Sequence, residues 1–150
     1  MNLTSLLKNE TILLPLDAGS RDECIEKMVD SLVGAGFVTD AKSYVDAVLT
    51  RETTGSTGIG FGVAIPHGKS KGVAAPGLAF ARLSNSVDWN AMDGKPVSMV
   101  FLIAVPEEQA GNEHLKILVA LSRKLIHQDF RDQLTAAQTP QDIFTILETL

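Results

Sequence analysis

Apolar residues at positions 25, 28, 29, 32 and 33 recur three and four apart, the spacing that lines one face of a helix. Ser20 stands before them as a cap, with Glu23 three residues on in the capping-box position. Gly34 and Gly36 end the run. A second stripe, Tyr44, Val45, Val48 and Leu49, follows the capping residue Asp40 and predicts a helix down to Arg51 or nearby. Between and beyond these helices the period changes. Ile12-Leu13-Leu14, halted by Pro15, reads as a strand, as do Val63-Ala64-Ile65, Gly77 to Leu83 and Val97 to Val105. The Val97–Val105 run is almost wholly apolar, which predicts a strand covered on both faces, and Asp93-Gly94 marks the turn before it. Asn112 is placed to cap a helix beginning near Glu113, with Leu115, Leu118, Val119, Ser122, Leu125 and Ile126 expected on its buried side. A short helix over Phe130 to Ala137 and a terminal helix opened by Thr139-Pro140 complete the pattern. Helices and strands alternate without repeats, so the fold class is α/β, built in layers.

Composition narrows the picture in three ways. The 150 residues fit one domain, 1–150, long enough to bury about two-thirds of the unfolded surface. A formal net charge of -5 argues against nucleic acid as a partner and is compatible with a basic patch on a protein. A single cysteine, Cys24, excludes an internal disulfide and a cysteine-built metal site, and its place among Ile25, Met28 and Val29 predicts a reduced core thiol. No apolar run approaches the roughly 20 residues of a membrane span. Met1 to Leu7 lacks the charged and apolar regions of a signal peptide. A cytoplasmic location is expected.

Candidate chemistry centres on the histidines, His67, His114 and His127. His127, near the end of a long helix, is expected to be structural. His67 has a different setting. A stretch with four glycines in nine positions, residues 54–62, precedes it, and Pro66 and Gly68 flank it. Proline fixes its own φ and glycine tolerates unusual angles, so His67 is expected in a defined turn at the end of a strand. Metal binding would need a third ligand beside His67 and His114, and none is apparent. General-base work in a hydrolase finds no GxSxG elbow. Nucleophilic attack of a neutral imidazole on phosphorus is a third possibility beside these two, and it requires donors around the incoming oxygens. His114 at about the second position of a helix, the glycine-rich loop and Arg51 are the candidate donors. The loop lacks the GxxxxGK[ST] pattern, so a nucleotide is not implied. Donation from Nδ1 of His67 to a backbone carbonyl would leave the other ring nitrogen as the nucleophile.

The segment from Arg51-Glu52-Thr53-Thr54-Gly55-Ser56-Thr57-Gly58 to Ile65-Pro66-His67-Gly68 resembles the active-site segment of enzyme IIA domains of the sugar phosphotransferase system, of the fructose/mannitol and nitrogen-regulatory type. Val100-Phe101-Leu102-Ile103-Ala104-Val105-Pro106, followed by Glu113-His114-Leu115-Lys116-Ile117-Leu118, resembles that family's second signature. The likeness spans essentially the whole chain. It implies a three-layer α/β/α sandwich with a mixed β-sheet. It further implies that His67 is the phosphorylated histidine, that His114 contacts the phosphoryl group and that Arg51 helps hold it. The implied donor is the phosphohistidine of an HPr-type phosphocarrier, and the implied acceptor is a cysteine of an enzyme IIB domain. No metal or organic cofactor is implied, and membrane contact would come only through a bound enzyme IIC. Phe101 to Pro106 and Asp88-Trp89-Asn90-Ala91-Met92-Asp93-Gly94 look most like fructose-type members. A regulatory IIA, whose phosphorylation state controls docking to targets, is the alternative. A non-catalytic relative would be expected to lack the histidine.

Overall fold

A computed structural model of the chain describes residues 3–108 and 113–150, and only the backbone of Glu113 and His114. Strand β6 (Val97–Pro106) is the organising element. It pairs antiparallel with β5 (Gly77–Val87) on one side and parallel with β3 (Val63–Ala64) and β4 (His67–Ser70) on the other. Strand β1 (Ile12–Leu16) joins β5 in parallel at one edge, and β2 (Gly58–Gly60) closes the other edge against β3. The sheet is therefore mixed and six-stranded.

Alternation along β6 divides the core in two. Val97, Val100, Leu102 and Ala104 face helices α1 (Arg21–Gly34) and α2 (Ala41–Thr53). Met99, Phe101, Ile103 and Val105 face α3 (Glu113–Leu125), α4 (Gln128–Ala136) and α5 (Pro140–Leu147). Successive side chains of a strand point to opposite faces, so an unbroken apolar run needs a layer on each. This is the three-layer α/β/α sandwich expected from the resemblance. Cys24 is fully buried in the first core, where burial pushes its thiol up to about 12.

Several local expectations are corrected. Strand β1 continues through Pro15 to Leu16, which an edge strand permits because no neighbour needs the missing N–H. The buried face of α3 is Ile117, Leu121 and Leu125, while Leu115, Val119 and Ile126 are exposed. The helix is apolar nearly all round from Leu115 to Leu121, so periodicity alone did not select the face that meets the sheet. The expected cap Asn112 lies outside the described residues.

Candidate functional site

His67 does not sit in a turn. It is the first residue of β4, in register with Ile103. Strands β3 and β4 lie along the same edge of β6, interrupted at Ile65-Pro66, where proline has no N–H to donate. The chain is held across the break by the amide of Ile103, which donates to the Pro66 carbonyl at 3.0 Å. Gly68 follows with an ordinary φ, and its role is space: an added Cβ would lie 2.9 Å from Val48 Cγ2 and 3.1 Å from the Val48 amide nitrogen. Strand β4 thus presses closely on α2.

The His67 ring is half-buried, with Nδ1 3.0 Å from the Ile65 carbonyl oxygen. A carbonyl only accepts, so Nδ1 donates; a neutral ring then has its lone pair on Nε2. The ring lines a cleft of about 1090 Å³ between α2, α3 and the strand edge, together with Arg51, Thr57, Lys69, Leu115 and Leu118. Arg51 lies in the last turn of α2, where its guanidinium donates to Thr54 Oγ1 at 3.0 Å and to the Gly55 carbonyl at 2.8 Å. Sequence reasoning missed Lys69, although its position two residues after His67 on one strand is the signal that places both on one face. His67 and Arg51 are thus brought to one cleft. The backbone of His114 is the second residue of α3, as expected, while its side chain lies outside the described residues. His127 is exposed and precedes α4, with no side-chain cap bond.

The glycine-rich stretch is not an open cradle. It forms the tight β2–β3 hairpin, where Gly60, Phe61 and Gly62 have φ of 96°, 60° and 77°. A two-residue turn of this hand requires positive φ at both central residues, which suits Gly62 and is adopted by Phe61 as well. Among the described residues it is Ser56, Thr57 and Ile59 of this stretch that line the cleft. Chemically, a neutral imidazole with one defined lone pair, sharing a cleft with two cations, suits attack on an anionic phosphorus centre. Among the described residues no group of three or more histidine, cysteine or acidic side chains is placed to hold a metal.

Comparison with known proteins agrees with this reading. Residues 5–149 match the family model for the phosphoenolpyruvate-dependent sugar phosphotransferase system, EIIA 2. The fructose-specific EIIA component of Haloferax volcanii is 40% identical over 146 residues, covering 97% of this chain and 94% of that protein. Among solved structures, the nitrogen regulatory protein IIA-Ntr of Neisseria meningitidis is similar with a TM-score of 0.84 at 33% identity, covering 96% of this chain and 97% of that one. The Escherichia coli complex of enzyme IIAMTL and phosphorylated enzyme IIBMTL is similar with a TM-score of 0.80 at 25% identity, covering 96% and 98%. The protein is a phosphotransferase component, of the class that relays a phosphoryl group by way of a histidine. It belongs to the EIIA type 2 family of the sugar phosphotransferase system.

Proposed function

We propose that His67 accepts a phosphoryl group from the phosphohistidine of an HPr-type carrier and passes it to a cysteine of an enzyme IIB domain. The observation that carries this reading is the 3.0 Å bond from Nδ1 to the Ile65 carbonyl, which leaves Nε2 as the nitrogen with the lone pair. In the first step Nε2 bonds to phosphorus while the donor's P–N bond breaks and its electrons return to the donor imidazole. In the second, a cysteine thiolate takes the group, forming P–S as the P–N bond at His67 breaks. The transferring group is loosely bonded to both partners midway, so alignment and charge stabilisation dominate over proton transfer. Arg51 supplies a fixed forked cation, and His114 a further donor at the helix start. Exposed Leu115 beside Leu118 gives the cleft an apolar rim suited to a protein partner.

The chain acts as one domain over residues 1–150 in the cytoplasm, serving a fructose-type transporter through IIB and a membrane-bound IIC. The Haloferax relative supports the fructose assignment, and the complex of the mannitol-type neighbour supports the IIB partner. A regulatory role, in which the phosphorylation state of His67 controls target binding, is the second reading; the likeness to the Neisseria protein favours it. Incubation with radiolabelled phospho-HPr and a purified IIB domain tests both. Wild type should take up label and His67→Ala should not. A labelled His67→Ala protein refutes the nucleophile assignment, and a labelled protein that never loads IIB favours regulation.

A further inference from the structure

Directly behind the cleft wall lies a buried polar cluster to which the transfer chemistry assigns no part. Glu52 in the last turn of α2 is 7% exposed, Thr57 is 5% and Trp89 is 1%. Glu52 Oε1 accepts from the Thr57 amide at 3.1 Å, and Oε2 accepts from the Thr57 hydroxyl. The Trp89 indole N–H approaches Thr57 Oγ1 at 3.1 Å and Glu52 Oε2 at 3.4 Å. Among the described residues no cation is ion-paired with Glu52. A carboxylate withdrawn from water is costly unless donors meet it, so this site holds three donors in one arrangement.

From Thr57 the hydrogen bonds run on to the histidine. The Thr57 carbonyl accepts from the Ile65 amide at 3.0 Å, and the Ile65 carbonyl in turn accepts from His67 Nδ1 at 3.0 Å. Ile65 is thus tethered by its N–H to Thr57, and Pro66 by its carbonyl to Ile103. We propose that Glu52 is a positioning residue for phosphoryl transfer: by clamping Thr57 it fixes Ile65, and so the tautomer and tilt of the His67 ring. The inference rests on the reading of His67 as the nucleophile. Glutamine at position 52 keeps the shape but replaces one acceptor oxygen with an NH2 group, which would face the donors of Thr57 and Trp89. The clamp would loosen, and Thr57 with it.

Glu52→Gln tests this with two readouts. Nitrogen-15 spectra of labelled histidine should show wild-type His67 protonated at Nδ1, and the variant as a mixture of both tautomers. The kcat for transfer from phospho-HPr should fall by about tenfold or more with KM little changed, since sub-ångström misplacement of a reacting atom is costly while the docking surface is intact. Emission from Trp89, the sole tryptophan, should shift alongside. A folded Glu52→Gln protein with the wild-type tautomer, or with wild-type kcat, overturns the inference. If that variant does not fold, Thr57→Val removes only the hydroxyl and should show the same changes to a smaller degree; a folded Thr57→Val protein matching wild type in both readouts overturns it equally. The tautomer spectrum needs no phosphoryl donor. Label on His67→Ala therefore refutes the nucleophile, and with it the part of Glu52 in transfer, while the tautomer spectrum still judges the clamp itself. An unlabelled His67→Ala beside an unaffected Glu52→Gln refutes only the clamp.

Discussion

At Gly68 a side chain has no room, and that single fact sets how near His67 can stand to α2. The nearest atoms to an added Cβ are Val48 Cγ2 at 2.9 Å, the Val48 amide nitrogen at 3.1 Å and Tyr44 Cε1 at 3.3 Å. Two of these belong to side chains, but the amide cannot rotate away, so Gly68→Ala should prise β4 from α2. We expect a loss of about 1–3 kcal/mol in urea unfolding, the usual cost of overpacking, together with reduced phosphorylation of His67. An alanine variant of wild-type stability would show that this contact is slack. The sequence pointed to Gly68 for its conformational freedom, whereas the structure needs only its smallness. His67 stood out because Pro66 and Gly68 flank it, and Arg51 because it opens the segment that resembles the family's active-site signature. Glu52 and Trp89 were not, since nothing in the order of residues indicates that positions 37 apart share a hydrogen bond.

At the scale of the element, helix starts were the most readable feature and helix faces the least. Ser20 caps α1 by accepting from the Glu23 amide at 3.1 Å, but the Glu23 carboxylate reaches back to Gly19 rather than to Ser20. Helix α5 shows the reciprocal form: Thr139 Oγ1 accepts from the Asp142 amide, and Asp142 Oδ2 accepts from the amides of Gln138 at 2.9 Å and Thr139 at 3.2 Å. Donation from the Gln138 amide is the largest cause and lowers the Asp142 pKa; desolvation, next in size, opposes it, and the backbone and side chain of Thr139 add smaller lowering contributions. A carboxyl depressed in the folded state stabilises above its unfolded pKa, about 3.9, and loses that contribution as pH falls through the folded value. Asp142→Asn should therefore lower the urea midpoint at pH 6, and the gap to wild type should narrow as pH falls below about 3.9. A gap independent of pH would mean that the amide loses packing rather than charge. For the buried face of α3 no local signal existed. Apolar residues lie on nearly every side, and the sheet beneath it selected Ile117, Leu121 and Leu125.

At the scale of the molecule, the two cores share one strand and should not unfold separately. Phe101 belongs to the core under α3–α5, with its ring 4.9 Å from that of Phe80, while Leu102, the next residue on β6, belongs to the core under α1 and α2. Trp89 sits in the core under α1 and α2, across the sheet from Phe101, and reports on it. Truncating a buried phenylalanine leaves a cavity that costs about 3–5 kcal/mol, but a local account would confine the damage to one side. Strand β6 pairs with β3, β4 and β5, so displacing it breaks the sheet on which both helical layers pack. Phe101→Ala should thus lower the midpoint of Trp89 fluorescence as far as that of far-ultraviolet circular dichroism, which sees helices on both faces. Coincident curves are the mark of a single cooperative transition. Separate curves, with the tryptophan signal surviving the loss of helix, would mean that the sheet does not couple its faces. The same coupling would carry a change under α3 to β4, where His67 lies on the edge of β6.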